Sequence, residues 1–292
     1  MFIKEGKPNF PSFFMSTFYD KIRNKEIAPI GLGTWNMGDD LRKQDDEIQA
    51  LRHGLDLGIS IIDTAEMYGN GRSEKVVGEA IKGRREEVYL VSKVLPSNAN
   101  FDGTIRACER SLSFLQTDYL DLYLLHWQGR YPFQETIDAM EELKNQQKIK
   151  AWGVSNMDVS EMQEILGSTS GSSCETNQVL YNLSRRGIEY DLKPFHDQQK
   201  IVTMAYSPIE QGRILTNKTL QGIADKHQVS AAQIALAWVL SHQNVVPIPK
   251  SASANRVEEN FNSLKIELDQ EDVEKLDLAF PPPTRKVSLE MI

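Results

Sequence analysis

Four ionisable side chains stand where proton-transfer chemistry would need them. Asp63 ends the apolar run Ile59-Ser60-Ile61-Ile62, and Tyr68 follows it five positions later, just before Gly69-Asn70-Gly71. Lys93 ends the run Val88-Tyr89-Leu90-Val91-Ser92, and His126 follows Leu124-Leu125. An ammonium close to a phenol favours phenolate, so Lys93 is expected to lower the Tyr68 pKa from its usual value of about 10. A carboxylate beside that ammonium holds it in place and keeps it charged. An imidazole across the pocket can donate a hydrogen bond to a carbonyl oxygen. Tyr68 then becomes an acid for an oxygen that gains negative charge. The set suits carbonyl reduction but supplies no electrons, so a bound hydride donor is required. Singly, each residue has a plainer reading: Asp63 a helix cap, Lys93 a solvated charge, His126 a core imidazole, Tyr68 a packed aromatic. Their recurrence at three consecutive strand ends is what points to a shared site.

The elements that must position them repeat along the chain. Strand-like apolar runs are predicted at residues 27–32, 59–62, 88–91, 119–125, 149–154, 175–180, 201–205 and 245–248. Amphipathic helices are predicted at 45–57, 74–82, 104–115, 133–145, 159–166, 190–198, 219–227, 231–241 and 256–264. Asp158 with Glu161, and Ser230 with Gln233, are spaced as capping boxes; Asp102 is a candidate cap for the helix near Thr104; Gly58 suits a left-handed C-terminal cap. Eight strands alternating with helices indicate parallel βαβ units, and eight is the number that closes a (β/α)8 barrel. The rival is an open doubly wound sheet, which announces itself by Gly-x-Gly-x-x-Gly after its first strand. Gly31-Leu32-Gly33-Thr34-Trp35-Asn36 has two glycines and then a tryptophan where close approach of a phosphate would want no side chain, which favours the barrel. The predicted organisation is a tail over residues 1–15 and a single barrel domain over 16–292, its bottom closed by a hairpin of residues 18–22 and 26–30.

Composition narrows the partners. The chain has 292 residues, a net charge of -8 and 41 acidic against 33 basic side chains, which argues against a nucleic-acid or acidic-membrane face. Cys108 and Cys174 read as buried free thiols of a reducing compartment. No apolar run approaches the roughly 18 residues of a membrane helix, and no signal peptide is visible. A cytoplasmic monomer without a metal centre is the expectation.

The motifs Asp63-Thr64-Ala65-Glu66-Met67-Tyr68, Ser92-Lys93, Leu125-His126-Trp127, Trp152-Gly153-Val154-Ser155-Asn156, Asn177-Gln178-Val179, Ala205-Tyr206-Ser207-Pro208 and Ile248-Pro249-Lys250-Ser251 together resemble the aldo-keto reductase family, in family order. Gly187-Ile188-Glu189-Tyr190-Asp191 and Ser241-His242-Gln243 resemble bacterial members described as methylglyoxal or 2,5-diketogluconate reductases. The resemblance implies a (β/α)8 barrel, NADPH as cofactor and a catalytic tetrad of Asp63, Tyr68, Lys93 and His126. It assigns Ser155, Asn156 and Gln178 to the nicotinamide carboxamide, and Tyr206 to stacking on the ring. Ser207, Pro208 and Gly212 are assigned to the pyrophosphate, Lys250, Ser251 and Arg256 to the 2′-phosphate, and Glu259 and Asn260 to the adenine. Lys250 and Ser251 at a helix entry, with Arg256 a turn on, also suit an anion on physical grounds.

Trp35, Met67 and Trp127 are expected to line the substrate pocket; ordinary packing is the alternative reading, for Met67 above all. The chain departs from many relatives in having Gln128-Gly129 after the His-Trp pair, a short loop after Pro208 and a brief tail over residues 280–292 that contains Pro281-Pro282-Pro283. Two other functions fit the same residues: a Schiff-base lyase using Lys93, and a non-enzymatic NADPH-sensing partner subunit.

Overall fold

In the computed structural model, which describes residues 27–292, strands and helices alternate along the chain. The strands are β1 (Gly31–Gly33), β2 (Ile61–Asp63), β3 (Tyr89–Val94), β4 (Leu120–Leu125), β5 (Ile149–Ser155), β6 (Cys174–Leu180), β7 (Val202–Tyr206) and β8 (Val245–Pro247). They lie side by side in chain order, and every neighbouring pair is parallel. The ring closes just beyond β8, where Gly33 N donates to Pro249 O at 3.0 Å and Gly33 pairs with Lys250. Both glycines of β1 serve this seam. A Cβ on Gly31 would come within 2.9 Å of Ile248 Cγ2, and one on Gly33 within 2.7 Å of Ile248 O. The glycine pattern therefore reflects close approach of the first strand to the last.

The helices form the outer layer: α1 (Gln44–Leu57), α2 (Arg72–Ile81), α3 (Phe101–Leu115), α4 (Phe133–Asn145), α5 (Val159–Gly167), α6 (Leu192–Gln199), α7 (Lys218–His227), α8 (Ala231–Leu240), α9 (Ala254–Asn262) and α10 (Gln270–Ala279). The two-residue period of a strand separates two cores. Leu122 and Leu124 of β4 join Ile61, Val91, Met204 and Val246 inside the barrel, whereas Tyr123 and Leu125 pack outward against the helices. A one-residue slip in any strand would exchange those faces, so the apolar pattern fixes register and thereby which polar residues point inward.

Most local expectations hold. Helix α4 has the predicted bounds, both predicted capping boxes form, and Gly58 caps α1 with φ 98°. Four do not. The first strand begins at Gly31, four residues later than expected, although Ile27 still packs inside the barrel. Helix α3 is capped by Asn100, whose Oδ1 accepts from Gly103 N at 2.7 Å, while Asp102 sits exposed in the first turn. The helix predicted at 190–198 starts two residues later, as α6, after a separate 3-10 turn (Gly187–Glu189). Helix α10, with a capping box of Asp269 and Asp272, was not anticipated. The proposed bottom hairpin and the tail over residues 1–15 lie outside the described residues, except that residues 27–30 are described and carry no strand.

Cys108 and Cys174 are buried and form no disulfide among the described residues, and burial pushes the Cys108 thiol up to about 12. Among the described residues no helix is long and apolar enough to cross a membrane.

Candidate active site

Strand alternation delivers the first three site residues. On β2, Ile61 and Asp63 share the inward face; on β3, Val91 and Lys93 do. Lys93 Nζ donates to Asp63 Oδ1 at 2.9 Å, to Asp63 Oδ2 at 2.8 Å and to Thr64 O at 2.8 Å, and lies 3.3 Å from Tyr68 OH. Lys93 is 0% and Asp63 2% exposed. Burial works against the ammonium, but Asp63 and Tyr68 together outweigh it and hold the Lys93 pKa above its ordinary value. The lysine is thus a fixed cation.

The phenol departs from the sequence expectation. Burial is the larger influence on Tyr68 and raises its pKa; Lys93 pulls it down and Asp63 pushes it up, with a net rise above the ordinary tyrosine value. Loss of hydration outweighs the nearby ammonium. Tyr68 is therefore protonated at neutral pH, with the Lys93 ammonium 3.3 Å from its oxygen.

His126 follows β4 and faces the phenol across the pocket, ring centroids 5.9 Å apart and nearly perpendicular. Burial, and secondarily Lys93, lower its pKa to about 3, so the imidazole is neutral. Its Nδ1 is buried without a hydrogen-bond partner. Trp127 packs on the same imidazole at 4.8 Å between centroids.

The residues assigned to a nicotinamide join this group through direct contacts. Gln178 Nε2 donates to Asp63 Oδ1 at 2.7 Å across the barrel. Ser155 Oγ donates to Gln178 O at 2.8 Å, and Asn156 Nδ2 donates to His126 O at 3.1 Å and to Ser155 Oγ at 3.1 Å. Tyr206 OH donates to Asn156 Oδ1 at 3.0 Å. Asn156 adopts φ 59°, a left-handed conformation that asparagine tolerates better than most residues. Two of the expected pocket aromatics and thioethers are open at the mouth: Trp35 is 44% and Met67 37% exposed.

The second half of the site lies at the barrel seam. Lys250 is exposed beside Gly33, Ser251 Oγ accepts from Ser253 N at 3.1 Å, and α9 then begins with Arg256 exposed in its early part. Neither Lys250 nor Arg256 forms an ion pair with a described residue. Glu259 is exposed, whereas the adjacent Asn260 is buried on the inner side of α9. After β7, Ser207 (φ 47°) and Gly212 (φ 87°) bend the chain around the short 3-10 stretch Glu210–Thr216, and Pro208 is buried.

Sequence reasoning missed the side chains that hold this loop. Asn182 Nδ2 donates to Ser207 O at 2.9 Å and to Glu210 Oε2 at 2.8 Å, and Glu210 Oε1 accepts from Arg185 at 3.1 Å and from Arg213 at 2.8 Å. Arg185 also pairs with Glu290 of the tail, while Lys286 bonds both Asp158 and Asp191. The main chain of Ile292 reaches the Tyr206 hydroxyl. The brief tail is thereby fastened over the β5–β7 side of the mouth. Only the density of charge in these segments hinted at it.

Fold and site together define a (β/α)8-barrel oxidoreductase. The chain belongs to the aldo/keto reductase family, whose sequence profile matches residues 29–279. It is 52% identical to methylglyoxal reductase YeaE of Escherichia coli over 271 residues, 91% of this chain and 95% of that protein. It is 37% identical to a glyoxal reductase of Bacillus subtilis, covering 86% of this chain and 88% of the relative. Among solved structures, an aldo/keto reductase from Klebsiella pneumoniae in complex with NADP and acetate superposes with a TM-score of 0.90 at 48% identity, covering 91% of this chain and 96% of that one.

Proposed function

We propose that this protein reduces small aldehydes and dicarbonyls of the methylglyoxal or keto-sugar type, with NADPH as hydride donor and Tyr68 as general acid. The observation that carries the reading is the buried Lys93–Asp63 pair, 2.8 Å apart, with its ammonium 3.3 Å from the Tyr68 hydroxyl. The methylglyoxal and glyoxal reductases among the relatives support the substrate class, and the NADP-bound Klebsiella structure supports the cofactor.

The residues present fit that cofactor. Tyr206 offers a ring anchored through its hydroxyl, beside the amides of Asn156 and Gln178. Lys250 and Arg256 are exposed cations at a helix entry, without an ion pair to any described residue, as a phosphate requires. Ser155, Asn156 and Gln178 would hold the carboxamide, Ser207, Pro208 and Gly212 the pyrophosphate, Ser251 with the two cations the 2′-phosphate, and Glu259 and Asn260 the adenine edge. When bound, the nicotinamide supplies the hydride.

The chain's own contribution is the proton and the field. Neutral His126 offers an N–H to the substrate oxygen, and Tyr68 protonates that oxygen as charge builds on it. Lys93 stabilises the resulting phenolate, and Asp63 keeps Lys93 aimed. Trp35, Met67 and Trp127 give the substrate an apolar surround. The same geometry disfavours a Schiff-base lyase. Such a mechanism needs a free amine, whereas the Lys93 ammonium is raised in pKa and engaged by Asp63 and Thr64. The test is oxidation of NADPH, followed by absorbance, with methylglyoxal and a panel of aldehydes, run in parallel with NADH. Turnover with NADPH and weaker use of NADH supports the reading. Tight NADPH binding with no turnover on any carbonyl would instead favour a cofactor-sensing subunit.

A further inference from the structure

Tyr68 and Lys93 come from different elements, and their separation depends on what ties those elements together. Tyr68 sits in a 3-10 turn, and the three residues after it, Gly69, Asn70 and Gly71, have φ of 57°, 53° and 84°. Glycine and asparagine adopt this left-handed conformation readily, and it turns the chain from Tyr68 into α2. Immediately beyond it, Ser73 and Glu74 open α2. Both are 0% exposed, and both reach back to the strand ends.

Ser73 Oγ donates to Thr34 at the end of β1, 3.0 Å from its carbonyl oxygen and 2.8 Å from its hydroxyl, and lies 3.1 Å from Thr64 Oγ1 just after β2. Thr34 Oγ1 in turn donates to Asp63 O at 2.9 Å. Glu74 Oε1 accepts from Ser92 Oγ at 2.7 Å. Ser92 directly precedes Lys93, so strand alternation turns Ser92 outward to Glu74 while Lys93 points inward to the site. Two consecutive residues thus connect the chain that carries Tyr68 to the ends of β1 and β2 and to the strand that carries Lys93.

We propose that Ser73 and Glu74 are positioning residues for the proposed reduction, fixing the distance between the Tyr68 hydroxyl and the Lys93 ammonium. This rests on the assignment of Tyr68 as the acid. The Glu74 carboxyl is held in the interior, its Oε2 buried, with Ser111 as a neighbouring hydroxyl donor. Burial, seconded by Glu66, pushes this carboxyl up despite Ser92, Ser111 and Arg110.

The test compares Glu74→Ala, Glu74→Gln and Ser92→Ala in the full chain, by steady-state kinetics with methylglyoxal and NADPH, NADPH titration by fluorescence, and urea unfolding. Glu74→Ala is expected to lower kcat roughly 10- to 100-fold, the scale of a displacement of about 1 Å in a reacting group, with KM and NADPH affinity within about twofold. Ser92→Ala, a small change that spares the fold, should lower kcat in the same sense by a smaller factor. Glu74→Gln, neutral and of the same shape, should recover most of the activity. The proposal is overturned if Ser92→Ala and folded Glu74→Ala keep wild-type kcat, or if the loss appears in KM or NADPH affinity. It also fails if Glu74→Gln is as impaired as Glu74→Ala, since Gln keeps an acceptor for Ser92 and that contact would then not be what positions the pair. A wild-type protein without reductase activity sinks the functional reading itself, and the carbonyl panel detects that separately.

Discussion

The two ends of the proposed site are built in opposite ways. At the β2–β4 end, Asp63, Lys93 and His126 are buried, and every charge is matched by a protein partner before any ligand arrives. At the β8–α9 end, Lys250 and Arg256 are exposed and have no acidic partner among the described residues. A buried ion pair costs hydration and is tolerated only where geometry makes up for it. An exposed cation costs little and stays available. The contrast teaches that the chemistry is preassembled while nucleotide affinity is left to be completed by the ligand. Effects at the first end should therefore appear in turnover and folding, and effects at the second in cofactor binding and salt dependence.

The largest expected effect tests the first half of that contrast. Lys93→Met leaves Asp63 buried and unpaired, and should destabilise the fold by about 3–5 kcal/mol while abolishing turnover. A urea melt with an unchanged midpoint would show that the pair is not structurally preassembled. Next is Arg256→Ala, which should raise the Kd for NADPH roughly 10- to 100-fold, the scale of a lost charge-assisted hydrogen bond. The Kd for NADH and the kcat should barely move. Equal losses for both nucleotides would remove Arg256 from the 2′-phosphate.

Acid should act through the buried histidines. Unfolded imidazoles take up a proton near 6.5, yet burial holds His126 and His196 neutral down to about 3. The unfolded state binds more protons across that window, so stability is lost as pH falls through it, by about 1.4 kcal/mol per pH unit for each histidine. Thermal melts from pH 7 to pH 4 should show that fall, and His196→Gln should flatten it. The smallest effect is that of salt. Raising ionic strength should weaken NADPH binding a few-fold through screening of Lys250 and Arg256 and leave kcat untouched.

How much of this was legible in the sequence follows from the same contrast. Strand alternation and eightfold repetition were enough to bring Asp63, Lys93 and His126 to one mouth, because a residue's type and its place in a two-residue period are written in the chain. The sign of the Tyr68 shift was not, since it depends on how much water the fold removes. Ser73 and Glu74 looked like an ordinary helix start, and nothing in a Ser-Glu pair reports burial. Asp102 and Asn100 are both good caps, and only the path of the backbone chose between them. The two glycines of β1 could be read in the chain, but their close approach to Ile248 is a property of the closed ring.

The most direct measurement is single-turnover reduction of methylglyoxal by Tyr68→Phe preloaded with NADPH. The account predicts NADPH affinity within about twofold of wild type and a hydride-transfer rate lower by roughly 100-fold or more, the contribution of a positioned general acid. A rate equal to that of the wild type, with the fold intact, would contradict it.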